Sequence, residues 1–479
     1  MIYNSLQFCC LPNQNKVVKN TYFERCQSDT RKQLKRWMVL SLLFFSGQLL
    51  MAQFYSVREQ AQIKDAILSQ RLDSLLPQLM DETNFDMWVL ISREYNEDPV
   101  LKTMLPATWL NARRRTILVF YRNKSANTIE KLAVARYDVG THFKSVWNKE
   151  KQPDQWQALL DLIKSRNPSR IGINISEHFN ILDGLVQTDY KAFMEKLPST
   201  LKKRVHSSER LAIRWIETRT EMEMKIFADL VEITHQIIAE AYSNKVIIPG
   251  QTTADDLVWW MRQKVSDLGL QTWFHPSVEI QRSDEKLKNH VDAFTNKDAS
   301  KVIQPGDLLH CDFGITYLGL NTDCQEMAYV LKPGETEVPV FLQQAFKQGN
   351  AVQDALTDNF KVGSTGNQIL AAALAQAKSA GLRPQIYTHP LGSYGHSSGT
   401  TIGMWDAQEG VPFTGDYPMH HNTAYAIELN AMVYVEQWGK DVRIALEESG
   451  FFSKEGFRYV NKRQTSIIPI AGKEAHLGD

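Results

Sequence analysis

Apolar residues recur at helical spacing between Val57 and Met80 (Ile63, Ile67, Leu72, Leu75, Leu76 and Leu79), and this stripe predicts a long amphipathic helix. Runs rich in β-branched and aromatic residues follow at Phe85–Ser92, Thr116–Tyr121, Lys131–Arg136 and Arg170–Ser176, and read as strands. A helical run, Trp156–Ile163, lies between the last two. Strands mixed with helices predict an α/β lobe. The mostly polar stretch Leu201–Glu209 marks its end, so the expected domains are 53–210 and 211–479.

The second half opens on another helical stripe (Met222, Ile226, Leu230, Ile233, Ile237), closed by Pro249-Gly250. Thr253, with Asp256 three residues on, predicts a capping box for a helix reaching Leu268, with Gly269 as its stop. Further helices are expected over Val338–Leu356 and Gln368–Ala380. Between these helices the pattern turns to alternation. Asp312 and Asp323 end two β-forming runs separated by a glycine-containing stretch, which reads as a hairpin. Pairing that mirrors about Tyr317–Leu318 sets the two carboxylates opposite each other, about 5 Å apart on one face. Like charges that close destabilise a sheet unless a cation lies between them; two solvated aspartates on a surface hairpin are the alternative for this segment alone.

Two later strands each carry an acid on an otherwise apolar face. In Ala424–Asn430, Glu428 shares a face with Ala424 and Ala426. In Val442–Glu448, Glu447 shares one with Arg443 and Ala445, which favours it over Glu448. A carboxylate in an apolar strand is costly to bury unless it is paired or bound to a metal. A histidine in a glycine-rich loop, His396, lies between the hairpin and these strands.

The order Asp312, Asp323, His396, Glu428, Glu447 resembles the pita-bread metallopeptidases, a family that includes aminopeptidase P, prolidase, methionine aminopeptidase and the metal-free creatinase. Thr220–Ile226 is similar to the opening of the family's first long helix, Ile248–Thr253 to its proline-glycine turn, and Gly306–Gly314 to the strand of the first ligand. The likeness covers roughly Ile216 to Pro469, and more weakly an amino-terminal domain from Ser56 to Leu211. It implies an α+β chain: a pita-bread catalytic domain preceded by a smaller α/β domain of creatinase type. Carried over by position, Asp312 is a terminal ligand of one metal, Asp323 and Glu447 bridge both, and His396 and Glu428 bind the second. Glu428 also passes a proton to the leaving amine. The family's usual second histidine, seven residues after the ligand histidine, falls at Gly403, and the acid that follows it is Asp406, behind Trp405. His389 is the nearest replacement for substrate contact and catalysis, His290 is a further substrate-binding candidate, and His275, His420 and His421 are weaker ones.

An oxygen-rich ligand set suits hard or borderline divalent cations, so two manganese ions are expected first, with zinc, cobalt or iron as alternatives. Two such ions can share a hydroxide and stabilise a tetrahedral transition state. The resemblance therefore implies an aminopeptidase releasing an amino-terminal residue, foremost one preceding proline, and a homodimer. The amino-terminal lobe favours aminopeptidase P or prolidase over methionine aminopeptidase. The alternatives are a prolidase-type dipeptidase, a weak or inactive homologue that binds peptides, and creatinase-like hydrolysis.

Composition narrows this further. The 479 residues carry 54 basic and 54 acidic side chains, a formal net charge of zero. Such a balance argues against nucleic acid as the main partner. Arg31–Arg36 precedes an apolar run, Trp37–Ala52, with the basic flank, core length and small terminal residue of a secretory signal peptide. The run is short for a membrane span. Translation is expected to start at Met38, or residues 1–36 to be removed, and the product to cross the inner membrane into the periplasm; an uncleaved anchor is the alternative. Cys311 and Cys324 would be the mature chain's two cysteines, paired by the same mirror register on the hairpin face opposite the aspartates and expected as reduced thiols, with a cross-strand disulfide as the alternative.

Overall fold

The computed structural model describes residues 55–472, so the leader and signal expected over 1–52 fall outside the described residues. Residues 55–61 begin the first helix, Val57–Gln70, where the Ser56 amide donates to the Glu59 carboxylate at 2.8 Å. A wider helical turn, Arg71–Leu75, and the helix Leu76–Glu82 come next in the chain.

Six strands form the first sheet: β1 Met87–Arg93, β2 Arg115–Asn123, β3 Thr128–Ala133, β4 Lys144–Ser145, β5 Ile171–Ile173 and β6 Val205–Ser207, in the order β4-β3-β2-β1-β5-β6. β1 is antiparallel to β2 and parallel to β5. Its run Met-Trp-Val-Leu-Ile is apolar throughout because both faces are covered. Trp88 and Leu90 join Leu118 and Phe120 in one core, and Met87, Val89 and Ile91 join Ile117 and Val119 in another. The latter face is closed by the helices Gln155–Arg166 and Gln187–Lys196. The polar stretch ahead of residue 210 holds β6 and leads into the helix Glu209–Glu217. Leu211, Ile213, Trp215 and Ile216 of that helix pack into the Trp88 core.

The second sheet has nine strands: β7 Ser277–Gln281, β8 Leu308–Phe313, β11 Cys324–Val330, β12 Pro384–Ile386, β13 His389–Leu391, β14 Thr423–Val435, β15 Lys440–Ser453, β16 Gly456–Tyr459 and β17 Ile468–Ile470. Its main path runs β12-β14-β15-β11-β8-β7, with β13 on β14, β16 on β15 and β17 on β11. A short pair, β9 Thr316–Tyr317 and β10 Leu320–Asn321, tips the β8–β11 hairpin. Helices stand where their capping signals place them. Thr220 and Glu223 form a reciprocal box for Glu221–Ala241, Thr253 and Asp256 one for Ala254–Asp267, and Thr365 and Gln368 one for Gly366–Ser379.

Alternation along the two long strands decides which face these helices cover. Ile427, Leu429, Ala431 and Val433 of β14, with Ile444 and Leu446 of β15, share a core with Leu342, Phe346, Val352, Ile369 and Leu370 from the helices Val340–Thr357 and Gly366–Ser379. Residues between them, Glu428 and Glu447 among them, therefore point to the other face.

The hairpin register differs from the mirror expected about Tyr317–Leu318. Tyr317 pairs with Leu320 and Thr316 with Asn321, so the pivot lies at Leu318-Gly319. Both turn residues have positive φ, 53° and 83°, the hand that two-residue hairpin loops require. Asp312 consequently pairs with Gln325 and Cys324 with Phe313. Asp323 is not the direct partner of Asp312, but its alternation still brings it to the same face, diagonally. Cys311 and Cys324 are buried free thiols.

Candidate metal centre

One row of the second sheet carries most of the centre. Ser277 pairs with Asp312, Asp312 with Gln325, Gln325 with Glu447, and Glu447 with Glu428, across β7, β8, β11, β15 and β14. His389 of β13 pairs with Ala426, two residues from Glu428, and so faces the same way. Three acids in one row of a sheet, two of them directly paired, repel each other and resist burial. Glu428, Glu447 and Asp323 are nonetheless buried, with Asp312 partly so. Burial raises all four carboxyl groups above the ordinary range, and neighbouring carboxylate charges raise Asp323, Glu428 and Glu447 further.

Gln325 occupies the gap between two of the acids. Its amide nitrogen donates to Glu428 Oε1 at 2.6 Å and Glu447 Oε2 at 2.9 Å, while its oxygen accepts from His310 Nε2 at 2.8 Å. Sequence reasoning missed it because the mirror register left Asp312 facing Asp323. With the pivot moved one residue toward the carboxyl end, Gln325 falls opposite Asp312 and becomes visible. Tyr387, whose hydroxyl acts to lower Glu428, was missed as well.

His389 reaches deepest among the acids. Its Nε2 lies 3.8 Å from Asp323 Oδ2 and 3.8 Å from Glu447 Oε1. Nδ1–H donates to the Pro390 carbonyl at 3.2 Å, leaving the Nε2 lone pair directed at the carboxylates. Burial and the adjoining His396 ring push His389 down to about 3, so the ring stays neutral. A lone pair facing two carboxylates is a repulsive arrangement without a cation between them.

Buried atoms without hydrogen-bond partners concentrate at this point: Asp312 Oδ1, Asp323 Oδ1, Glu447 Oε1 and His389 Nε2. Buried polar atoms are ordinarily satisfied, and an ion is one resolution of such a group. Ligand atoms of Asp312, Asp323 and Glu447 come within 4.8 Å of one another, as do those of His389, Glu428 and Glu447, and those of Asp323, His389 and His396. The donor set, carboxylate oxygens plus neutral imidazole, fits divalent cations.

The remaining histidines divide by position. His396 is an exposed residue whose ring meets His389 edge-on at 4.7 Å and Trp273 at 5.2 Å. It lines the cavity of about 330 Å³ above the acids, together with His290, Tyr387 and Trp405. His290 stacks on Trp405 at 4.9 Å, nearly parallel. His275 reaches the same cavity and contacts Arg262 at 3.1 Å. His420 instead approaches Glu217 at 3.4 Å, and His421 packs on Phe452. Glu448 turns to the helix-covered face, taking a bond from His235 Nε2 at 2.8 Å and one from the Gln464 amide at 2.7 Å. At Gly403 φ is +74°, and a Cβ there would overlap the Ile386 carbonyl oxygen. No histidine fits that backbone.

A helix-backed sheet whose open face gathers four carboxylates and an imidazole defines a pita-bread metallopeptidase. Residues 225–447 match the model of Metallopeptidase family M24, so the chain carries a metallopeptidase domain of that family and is a hydrolase by class. Among solved structures, an X-Pro aminopeptidase from Thermotoga maritima is 13% identical with a TM-score of 0.58, covering 82% of this chain and 99% of its own. An Xaa-Pro dipeptidase from Bacillus anthracis is 16% identical with a TM-score of 0.53, covering 86% and 100%. The N-terminal domain of FACT complex subunit SPT16 from Cicer arietinum is 12% identical with a TM-score of 0.53, covering 85% and 99%. At these identities the likeness is one of fold. No curated protein matches the chain.

Proposed function

We propose that the chain is a secreted aminopeptidase with two divalent metal ions, manganese foremost, that removes an amino-terminal residue preceding proline. The unpartnered cluster of Asp312, Asp323, Glu447 and His389 atoms carries this reading. Asp312, Asp323 and Glu447 would hold one ion; Asp323, His389, Glu428 and Glu447 the other, with His396 at its outer side. Giving the deep imidazole position to His389 follows from its distances to Asp323 and Glu447. When bound, such ions polarise a carbonyl and generate a nucleophile from water near neutral pH.

The chain's own groups do the rest. Gln325 orients Glu428 and Glu447 from below. Glu428, at the cavity wall, takes a proton from the attacking water and delivers it to the leaving amine nitrogen. Trp405 and His290 form a flat wall for the substrate's apolar part, and Trp273 and Phe274 lie on the same cavity. Solved neighbours named for X-Pro and Xaa-Pro substrates support the preference for proline. The signal-like run at residues 37–52 supports export to the periplasm, and the family resemblance supports a homodimer.

Release of the first residue from Xaa-Pro peptides, with and without added manganese, tests this. The Asp312→Ala and Asp323→Ala variants are expected to lose at least 100-fold in rate, on the order of 3 kcal/mol of barrier. Parent-like turnover in either rules the centre out. Gly403, standing where the family has a histidine, favours a second reading: a peptide-binding protein of low turnover. Tight metal-dependent peptide binding without hydrolysis selects that alternative.

A further inference from the structure

A second cavity, about 650 Å³, lies in the amino-terminal lobe, well within the size of small-molecule sites. Five guanidinium groups line it: Arg93, Arg113, Arg114, Arg115 and Arg136. Two belong to facing strand positions, since Arg93 of β1 pairs directly with Arg115 of β2. Like charges placed so destabilise a sheet. The fully buried Asp189 offsets part of this, accepting two bonds from Arg93 at 2.8 Å each, with Arg115 Nε at 3.1 Å. Glu94 reaches Arg114 at 3.5 Å, an exposed pair worth little.

Arg113 and Arg136 remain without a carboxylate among the described residues. Arg113 instead stacks over Trp109 at 4.7 Å and donates to the Tyr137 hydroxyl at 3.0 Å, which holds its guanidinium in place. Asp138, next in the chain to Tyr137, is engaged by Lys144 at 3.0 Å. Five cations thus face two anions, which leaves three positive charges around one concavity. The paired ends of the two central strands, β1 and β2, bear that repulsion, and neither the fold nor the metal centre uses it. Guanidinium forks match the geometry of phosphate and carboxylate groups, and their planes also stack on flat rings.

We propose that this cavity binds a small oxyanion of two or more negative charges joined to a flat apolar group. The arginines take the charge, and the aromatic rings that line the cavity, Trp109, Tyr137 and Trp147, take the flat portion. Phosphate-bearing and carboxylate-bearing ligands share this chemistry.

A naphthalene trisulfonate is a suitable probe, because it carries the charge and the ring without chelating the ions of the metal centre. Titration into the metal-loaded full chain is expected to show saturable binding with a dissociation constant on the order of 10 μM, weakening as salt is raised. The double variant Arg114→Glu with Arg136→Glu changes two exposed side chains. With an unchanged melting temperature, it is expected to bind at least about tenfold more weakly, a difference of 1.4 kcal/mol. Arg136→Gln alone should give a smaller loss in the same direction. Asp312→Ala should bind the probe as the parent does, which separates this cavity from the proposed metal centre. Displacement by inorganic phosphate but not succinate assigns a phosphate ligand; the reverse assigns a carboxylate. Absence of saturable binding, equal affinity in the double variant, or loss of binding in Asp312→Ala overturns the proposal.

Discussion

Gln325 sets the geometry of two acids without being an acid itself. Its single amide nitrogen holds Glu428 and Glu447 together, and His310 fixes which end of the amide points at them. Groups that orient ligands from behind typically matter 10–100-fold to metal affinity. Gln325→Leu keeps the volume and removes the donor, so two buried carboxylates lose a partner. Metal affinity, read by competition with a fluorescent chelator, is expected to fall by roughly that 10–100-fold range. An unchanged affinity would show that the bond contributes nothing to the centre. Gly403 teaches the opposite lesson at the same scale. Its left-handed φ and the Ile386 carbonyl beside it exclude any side chain, so a histidine cannot be restored there by a single exchange.

Elements were legible in the sequence where one physical rule acted alone. The capping box read at Thr253 is local in sequence and marks its helix start directly; the structure shows the same box at Thr220 and Thr365. Period-two alternation put Glu428 with Ala424 and Ala426 and Glu447 with Arg443 and Ala445, each on one face of its strand; their direct pairing on β14 and β15 is set by the register of that hairpin. The hairpin register was less legible, because the pivot depends on which residues accept positive φ, and Leu318 does so next to Gly319. The standing of His389 against His396 was hidden altogether. Both come from irregular sequence, and only the pairing of β13 with β14 carries His389 inward. Close approach of helix and sheet is similarly invisible until both are placed. A Cβ on Gly349 would meet Ile444 Cγ2 at 2.6 Å and Leu446 Cδ1 at 2.9 Å, on the reverse side of the strand that bears Glu447. Gly349→Val is therefore expected to destabilise by about 1–3 kcal/mol through overpacking. Urea unfolding measures this, and a stability equal to the parent's would mean the helix Val340–Thr357 can shift without cost.

For the molecule as a whole, the centre is a liability unless cations occupy it. Asp312, Asp323, Glu428 and Glu447 come from four places in the chain, and folding forces them together against their mutual repulsion. The unfolded chain separates them, so a cation that bridges them binds the folded state far better. Such linkage stabilises by about 2.7 kcal/mol per site at a free concentration 100 times the dissociation constant. Two sites double that figure if they fill independently. Stripping the protein with a chelator should therefore lower its melting temperature, and manganese should restore it in proportion to the logarithm of its concentration. The double variant Asp323→Asn with Glu447→Gln removes two of the repelling charges as well as two ligands. Its metal-free form is expected to melt above the metal-free parent, and to gain little from manganese. Melting curves of the parent that coincide with and without the ion would mean that the acids are held apart by something other than metal, and the reading of this face as a dinuclear centre would fall with them.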